Sequence, residues 1–186
     1  VTLLTDAADK ITSANTFRLE AVHSGVDYLV DVYLGADPAT VAFRRATGQY
    51  VAESQLQAAV SVLAFGLPLT IDIFANGPDQ WVRLPATSWF DADFAPGFDP
   101  GNLVSLDTGF RAALAALTEL KYEGRETLED GTGVYHLSGM ADGEVVTDLL
   151  VGMIETTGQV PVDVYIDRKS GYPVRLQIVQ PETDPE

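Results

Sequence analysis

The sequence contains no cysteine, which rules out a disulfide framework and any thiolate metal site, and leaves the redox compartment unread from thiols. Positive charge is scarce: 11 Lys and Arg stand against 27 Asp and Glu, for a formal charge of −16. Such a chain repels phosphate backbones and anionic membrane surfaces, so no nucleic-acid partner is expected. Only two histidines occur, His23 and His136, each within an alternating strand pattern and neither beside a catalytic motif. Both read as exposed strand residues, and the Ser-Gly pair after Leu137 is not a nucleophile elbow. Long apolar runs are missing as well. The most apolar stretch, AAVSVLAFGLPLTIDIF from Ala58 to Phe74, is broken by Ser61, Gly66, Pro68 and Asp72, whereas a membrane span needs about 20 mostly uninterrupted apolar residues.

Metal chemistry is poorly served too. Asp91, Asp93, Asp99 and Asn102 have the outline of a calcium loop, but Pro96 stands at the sixth position, where glycine is required, and Asn102 at the twelfth, in place of a bidentate glutamate. No catalytic residue, metal or cofactor is expected.

What the chain does have is apolar alternation. With 46% hydrophobic residues over 186 positions it can bury one sizeable core, and no shift in composition marks a boundary. The expectation is a single domain over residues 1–180, with a frayed acidic tail at 181–186. The first residue is Val1 rather than Met, so an upstream segment, the place for any signal peptide or lipid anchor, is expected to have been processed away or left out.

The segment VPVDVYIDRKSGYPVRLQIV, Val160 to Val179, is a β-hairpin written in period two. Val160, Val162, Val164 and Ile166 share one face, as do Tyr172, Val174, Leu176 and Ile178, while Asp163, Asp167, Arg175 and Gln177 face water. Gly171 supplies the positive φ the turn needs. Six further runs, TFRLEAVHS, VDYLVDVYLG, TVAFRRATGQYVAES, LQAAVSVLA, LTIDIFA and QWVRL, predict a meander, and KYEGRETLE and GVYHLSGM predict another strand pair. Helical spacing appears three times: in TLLTDAADKITSANT, with Thr2 as N-cap; in DTGFRAALAALTEL, with Asp107 or Thr108 as N-cap; and in DGEVVTDLLVGMIET. Between meander and second helix lies PATSWFDADFAPGFDPGN, Pro85 to Asn102, which has no period and predicts a long irregular loop.

About ten antiparallel strands with three short helices make an α+β arrangement. At about 4.8 Å per strand the sheet would be roughly 50 Å wide, more than three helices of about 10 Å diameter can cover while it stays flat. The sheet is therefore expected to curl into a single half-barrel with the helices on its concave face. An apolar trough results, filled either by side chains or by a ligand.

In order, FDPGNLVSLDTGFRAALAAL, KYEGRETLEDGTGVYHLSG, a short apolar helix and VPVDVYIDRKSGYPVRLQI resemble the LppX/LprAFG family of bacterial envelope lipoproteins, over Thr2 to Val179. The resemblance implies a half-barrel sheet holding helices, similar to the LolA and LolB lipoprotein carriers. It also implies an extracytoplasmic protein tied to the membrane by a lipid anchor, and a cavity for multi-acylated lipid or glycolipid. The lipobox cysteine is not in this sequence, so anchoring is implied for the precursor only. A transporter or carrier protein is the implied partner.

An acyl-binding trough would be lined by Val60, Val62, Leu69, Ile71, Ile73, Val162 and Val164 from strands and by Phe110, Leu114, Leu117, Leu150 and Met153 from helices. Each buried methylene contributes roughly 0.8 kcal/mol, and no polar group is required. In the loop, Trp89, Phe90, Phe94 and Phe98 either form a mobile rim through which lipid enters or fold back to plug the core. Two functions stay open: a lipid or glycolipid carrier that does no chemistry, and a structural or interaction lipoprotein whose core is filled by its own side chains. A hydrolase using the loop aspartates is the weakest reading.

Overall fold

Period-two runs become strands almost where they are written. The computed structural model describes residues 2–33, 38–105, 109–149 and 156–179. Within them the strands are β1 Thr16–Val22, β2 Tyr28–Tyr33, β3 Pro38–Val51, β4 Gln55–Ala64, β5 Leu67–Asn76, β6 Asp79–Arg83, β7 Phe90–Asp91, β8 Thr118–Thr127, β9 Gly133–Asp142, β10 Gln159–Asp167 and β11 Pro173–Ile178. The helices are α1 Thr2–Thr12, α2 Gly109–Ala115 and α3 Gly143–Leu149, with a 3-10 turn at Pro100–Val104. Every strand pairing is antiparallel. The α+β class read from the sequence, mostly antiparallel strand with few helices, is the class observed.

Hydrogen bonding divides the expected run of strands into two ladders. Seven strands follow the order β1-β3-β4-β5-β6-β7, with β2 also on β3, and four follow β11-β10-β9-β8. The break falls where the chain leaves β7 for the 3-10 turn and α2 before pairing again as β8. Around these ladders the chain forms two compact units: Ala14–Leu103, and α1 together with everything from Val104 onward.

In the unit with the four-stranded sheet, all three helices pack on one face. Leu4, Ala7 and Ala8 of α1, Leu114 of α2 and Val146 of α3 share a core with Leu137, Val162, Val164 and Ile166. The opposite face carries the polar alternates. α1 is also tied to the β10–β11 turn, where the Lys10 ammonium donates to the Ser170 carbonyl and lies 5.6 Å from the Tyr172 ring centroid. Gly171 has φ +72° in that turn, as predicted.

Two local expectations are corrected. The helix read as far as Leu120 ends at Ala115, because Thr118 joins the ladder opposite Met140 and donates its hydroxyl to the Met140 carbonyl (3.3 Å). A register shift between Thr118 and Lys121 then accommodates Glu119 at φ 51°. Leu117 still reaches the core, but from the connector. In β11, Leu176 and Ile178 pack against the core while Val174 is exposed, as is Tyr172 just before the strand. The register slips between Tyr165 and Ile166, so Ile166 faces Pro173 and the alternation is interrupted there.

The other unit buries the apolar face of its sheet under its own loop. Val41, Val62, Ile71 and Val82 form the centre, and Leu84, Phe90, Ala92 and Phe94 lie over it. β7 is only two residues long, too short to show a period.

Candidate functional site

The apolar cleft of the helical unit is assembled from α2, α3 and three strands. Helical spacing puts Phe110, Ala113 and Leu114 of α2 beside Val145, Val146 and Leu149 of α3. The sheet supplies Ala141 from β9, Val162 from β10 and Leu176 and Ile178 from β11, with Val162 paired to Ile178 in register. Every lining side chain is apolar, and the enclosed volume is about 20 Å³. That is room for roughly one water molecule, well short of the approximately 300–1,000 Å³ of ordinary ligand pockets.

Of the residues predicted to line a trough, Phe110, Leu114, Leu117 and Val162 line this cleft, and Val164 is buried in the same core. Leu150 and Met153 lie outside the described residues. Val60, Val62, Leu69, Ile71 and Ile73 sit together on the apolar face of the seven-stranded sheet, in the other unit. Val145, Val146, Leu149, Leu176 and Ile178 were not among the predicted lining residues. Their signal was present in the sequence, in the helical phase of EVVTDLL and the apolar alternation of the last strand.

Within Pro85 to Asn102, Phe98 is buried and tilted against Phe94 at 6.4 Å, while Phe90 and Phe94 pack on the sheet core. Trp89 is exposed, with the Arg83 guanidinium 4.9 Å from its ring centroid. Gln80 pins this loop. Its buried amide donates to the Ala95 carbonyl (2.8 Å), and its Oε1 accepts the Ala95 N–H (3.0 Å). Asp99, one of the calcium-loop candidates, accepts hydrogen bonds from the Ser54 hydroxyl and the Gly101 N–H. Sequence reading missed Gln80, although a polar residue two places before buried Val82 in a period-two strand was the available sign.

His136 is not the exposed strand residue expected. Its side chain is 15% exposed, stacks on Tyr165 at 4.4 Å, and is held between two carboxylates: Nδ1 is 2.6 Å from Glu126 and Nε2 2.7 Å from Asp163. Burial acts to lower its pKa, but the hydrogen bonds and charges of Asp163 and Glu126 outweigh that and raise it above the ordinary value. A raised folded-state pKa contributes stability that is fully present below the unfolded value near 6.5 and is lost as pH rises through the folded value. Urea denaturation from pH 6 to 9 is therefore expected to show stability falling by under about 1 kcal/mol, given the half-exposed Glu126, and His136→Gln to flatten that dependence. A flat wild-type profile would contradict the clamp.

The LppX_LprAFG lipoprotein family profile matches residues 7–185. The chain belongs to this family. Among solved structures, LprF from Mycobacterium bovis superposes with a TM-score of 0.66 at 16% identity, covering 97% of this chain and 86% of its own. The lipoprotein LppX from Mycobacterium tuberculosis superposes with a TM-score of 0.57 at 16% identity, covering 96% and 88% respectively. At such identity these likenesses establish the LppX_LprAFG fold. No curated protein matches the chain. Among the described residues, no helix is long and apolar enough to cross a membrane.

Proposed function

We propose that this LppX_LprAFG protein is a non-catalytic envelope lipoprotein that binds acylated lipid or glycolipid and carries it outside the cytoplasmic membrane. Its precursor would be held there by an N-terminal lipid anchor, and a transporter or carrier protein would hand over the cargo. The observation that carries the reading is the wholly apolar lining of the cleft between α2, α3 and the four-stranded sheet, which suits acyl chains and offers nothing to a polar substrate. Family membership from residue 7 to 185 supports treating the chain as one lipid-binding domain. Leu150 and Met153 belong to the same proposal, as do Val60, Val62, Leu69, Ile71 and Ile73 as acyl contacts of the other unit, with Trp89, Phe90, Phe94 and Phe98 as its rim.

At about 20 Å³ the cleft admits an acyl chain only if α2 or α3 moves off the sheet. The described part of each is seven residues long, and a helix in a folded protein is held chiefly by the packing of its apolar face rather than by intrinsic stability. The same small volume favours a second reading, an interaction lipoprotein with a filled core. Native mass spectrometry of the purified protein separates the two: a carrier retains lipid, and a bare mass in every preparation would reject the carrier reading.

Ala113→Trp gives an independent check. Ala113 lines the cleft, so an indole there occupies the space an acyl chain would need. Lipid retention is expected to fall severalfold, with a stability cost of about 1 to 3 kcal/mol from overpacking. Unchanged lipid content in a folded Ala113→Trp protein would move the binding site elsewhere.

A further inference from the structure

The turn between β4 and β5 carries the most exposed large apolar side chain of the described residues: Phe65 is 99% exposed, and Leu67, two residues further along the chain, is 69% exposed. Ala64 pairs with Leu67, leaving Phe65 and Gly66 as the two turn residues, with φ of +53° and +77°. Two positive φ values in a two-residue hairpin are the type I′ pattern, for which Asn-Gly or Asp-Gly is the usual pair. Gly66 meets the requirement without strain. Phe65 does not, because a bulky side chain is disfavoured in the left-handed region, and its exposure means that no packing within the fold compensates. A residue that harms its own turn and adds nothing to the core points to a contact outside the chain.

The surroundings define that contact. From Ser54 to Ile71 there is no charged residue, in a chain of net charge −16. Leu63, Leu67 and Pro68 flank the tip, so apolar side chains come from both strands. A protein-binding surface carries polar groups round its rim to fix orientation, whereas along this hairpin the first polar side chains back from the tip are Ser61 and Thr70, paired four residues away and uncharged. The hairpin is also suited to lipid in its backbone: its strands pair with each other up to Ala64 and Leu67, and Pro68 has no N–H to satisfy. Three residue rises separate Phe65 from the Val62–Leu69 pair, or about 10 Å at about 3.3 Å each, which matches the depth reached by interfacial segments.

We propose that the β4–β5 hairpin is a membrane-docking tip, inserting Phe65 and Leu67 among the headgroups of a zwitterionic bilayer surface. This goes beyond cargo binding and does not depend on it. The test is sedimentation of the full chain with phosphatidylcholine vesicles, comparing wild type with Phe65→Asn. Asn tolerates positive φ, so the turn and the melting temperature are kept while the apolar tip is lost. Wild type is expected to partition at least about tenfold more strongly, the effect of withdrawing one large apolar side chain from lipid. Because the chain has no cysteine, Leu67→Cys carrying an environment-sensitive fluorophore reports insertion uniquely, and Lys169→Cys in the β10–β11 turn is the control. The label at 67 should brighten and shift to the blue with vesicles while the label at 169 does not. Equal partitioning of wild type and Phe65→Asn, failure of wild type to partition, or equal response of both labels would each overturn the proposal. Co-purified lipid in the native mass spectrum reads the carrier proposal separately, so the two can fail independently.

Discussion

Val164→Asp unfolds the helical unit. Val164 is fully buried, paired with Leu137 on one side and Leu176 on the other, and shares its core with Leu4, Leu114 and Leu117. None of these neighbours can donate a hydrogen bond to a carboxylate. The variant loses roughly 1.5–3 kcal/mol of apolar burial and must in addition either strand a charge or keep an unpaired carboxylic acid, at several kcal/mol more. Together these approach the whole stability of a typical domain, about 5–15 kcal/mol. Loss of the cooperative near-ultraviolet dichroism melt is the expected result. Gln177→Asp, on the exposed positions of β11, is expected to stay within about 0.5 kcal/mol of wild type. If Val164→Asp melted within a few degrees of wild type, the core could not be organised around this face of the sheet.

Gln80→Ala is expected to cost about 2–6 kcal/mol and to release the loop from Pro85 to Asn102. The amide of Gln80 satisfies both backbone groups of buried Ala95, and leaving a buried donor or acceptor unpaired costs about 1–3 kcal/mol each. Gln80→Leu fills nearly the same volume without the bonds, so a similar loss in both variants assigns the effect to hydrogen bonding rather than to a cavity. Amide exchange at Ala95 and Phe98 should accelerate far more than exchange in the β4–β5 ladder. Persistent protection of those amides in Gln80→Ala would show that Phe90, Phe94 and Phe98 hold the loop by themselves.

The candidate site was partly legible. Phe110, Leu114 and Val162 follow from helical and strand periods alone, because a residue on the apolar face of an amphipathic element must be buried against something, whereas Leu117 lines the cleft from the connector after α2. What period cannot give is the partner. Val60 and Val162 carry the same signal, yet they lie in different units. Nor does period measure volume, and the width of the strands argued for a trough where the described cleft encloses about 20 Å³. His136 and Gln80 were misjudged or missed for a related reason: both are polar groups whose role depends on partners from distant segments, Asp163 for one and Ala95 for the other.

The sequence by itself determined ten of the eleven strands, the presence of three helices, the turn at Gly171 and the family, because these rest on local periodicity, local φ demands and the order of motifs along the chain. Tertiary structure decided where α2 stops, since Thr118 gains a ladder partner in Met140 that outweighs helical spacing. It decided which face of β11 is wet, through the slip at Tyr165 and Ile166. It also decided which apolar side chains remain uncovered: Phe65 and Phe98 are the same residue type, each next to a glycine, and only the chain packed around each buries one and leaves the other in water.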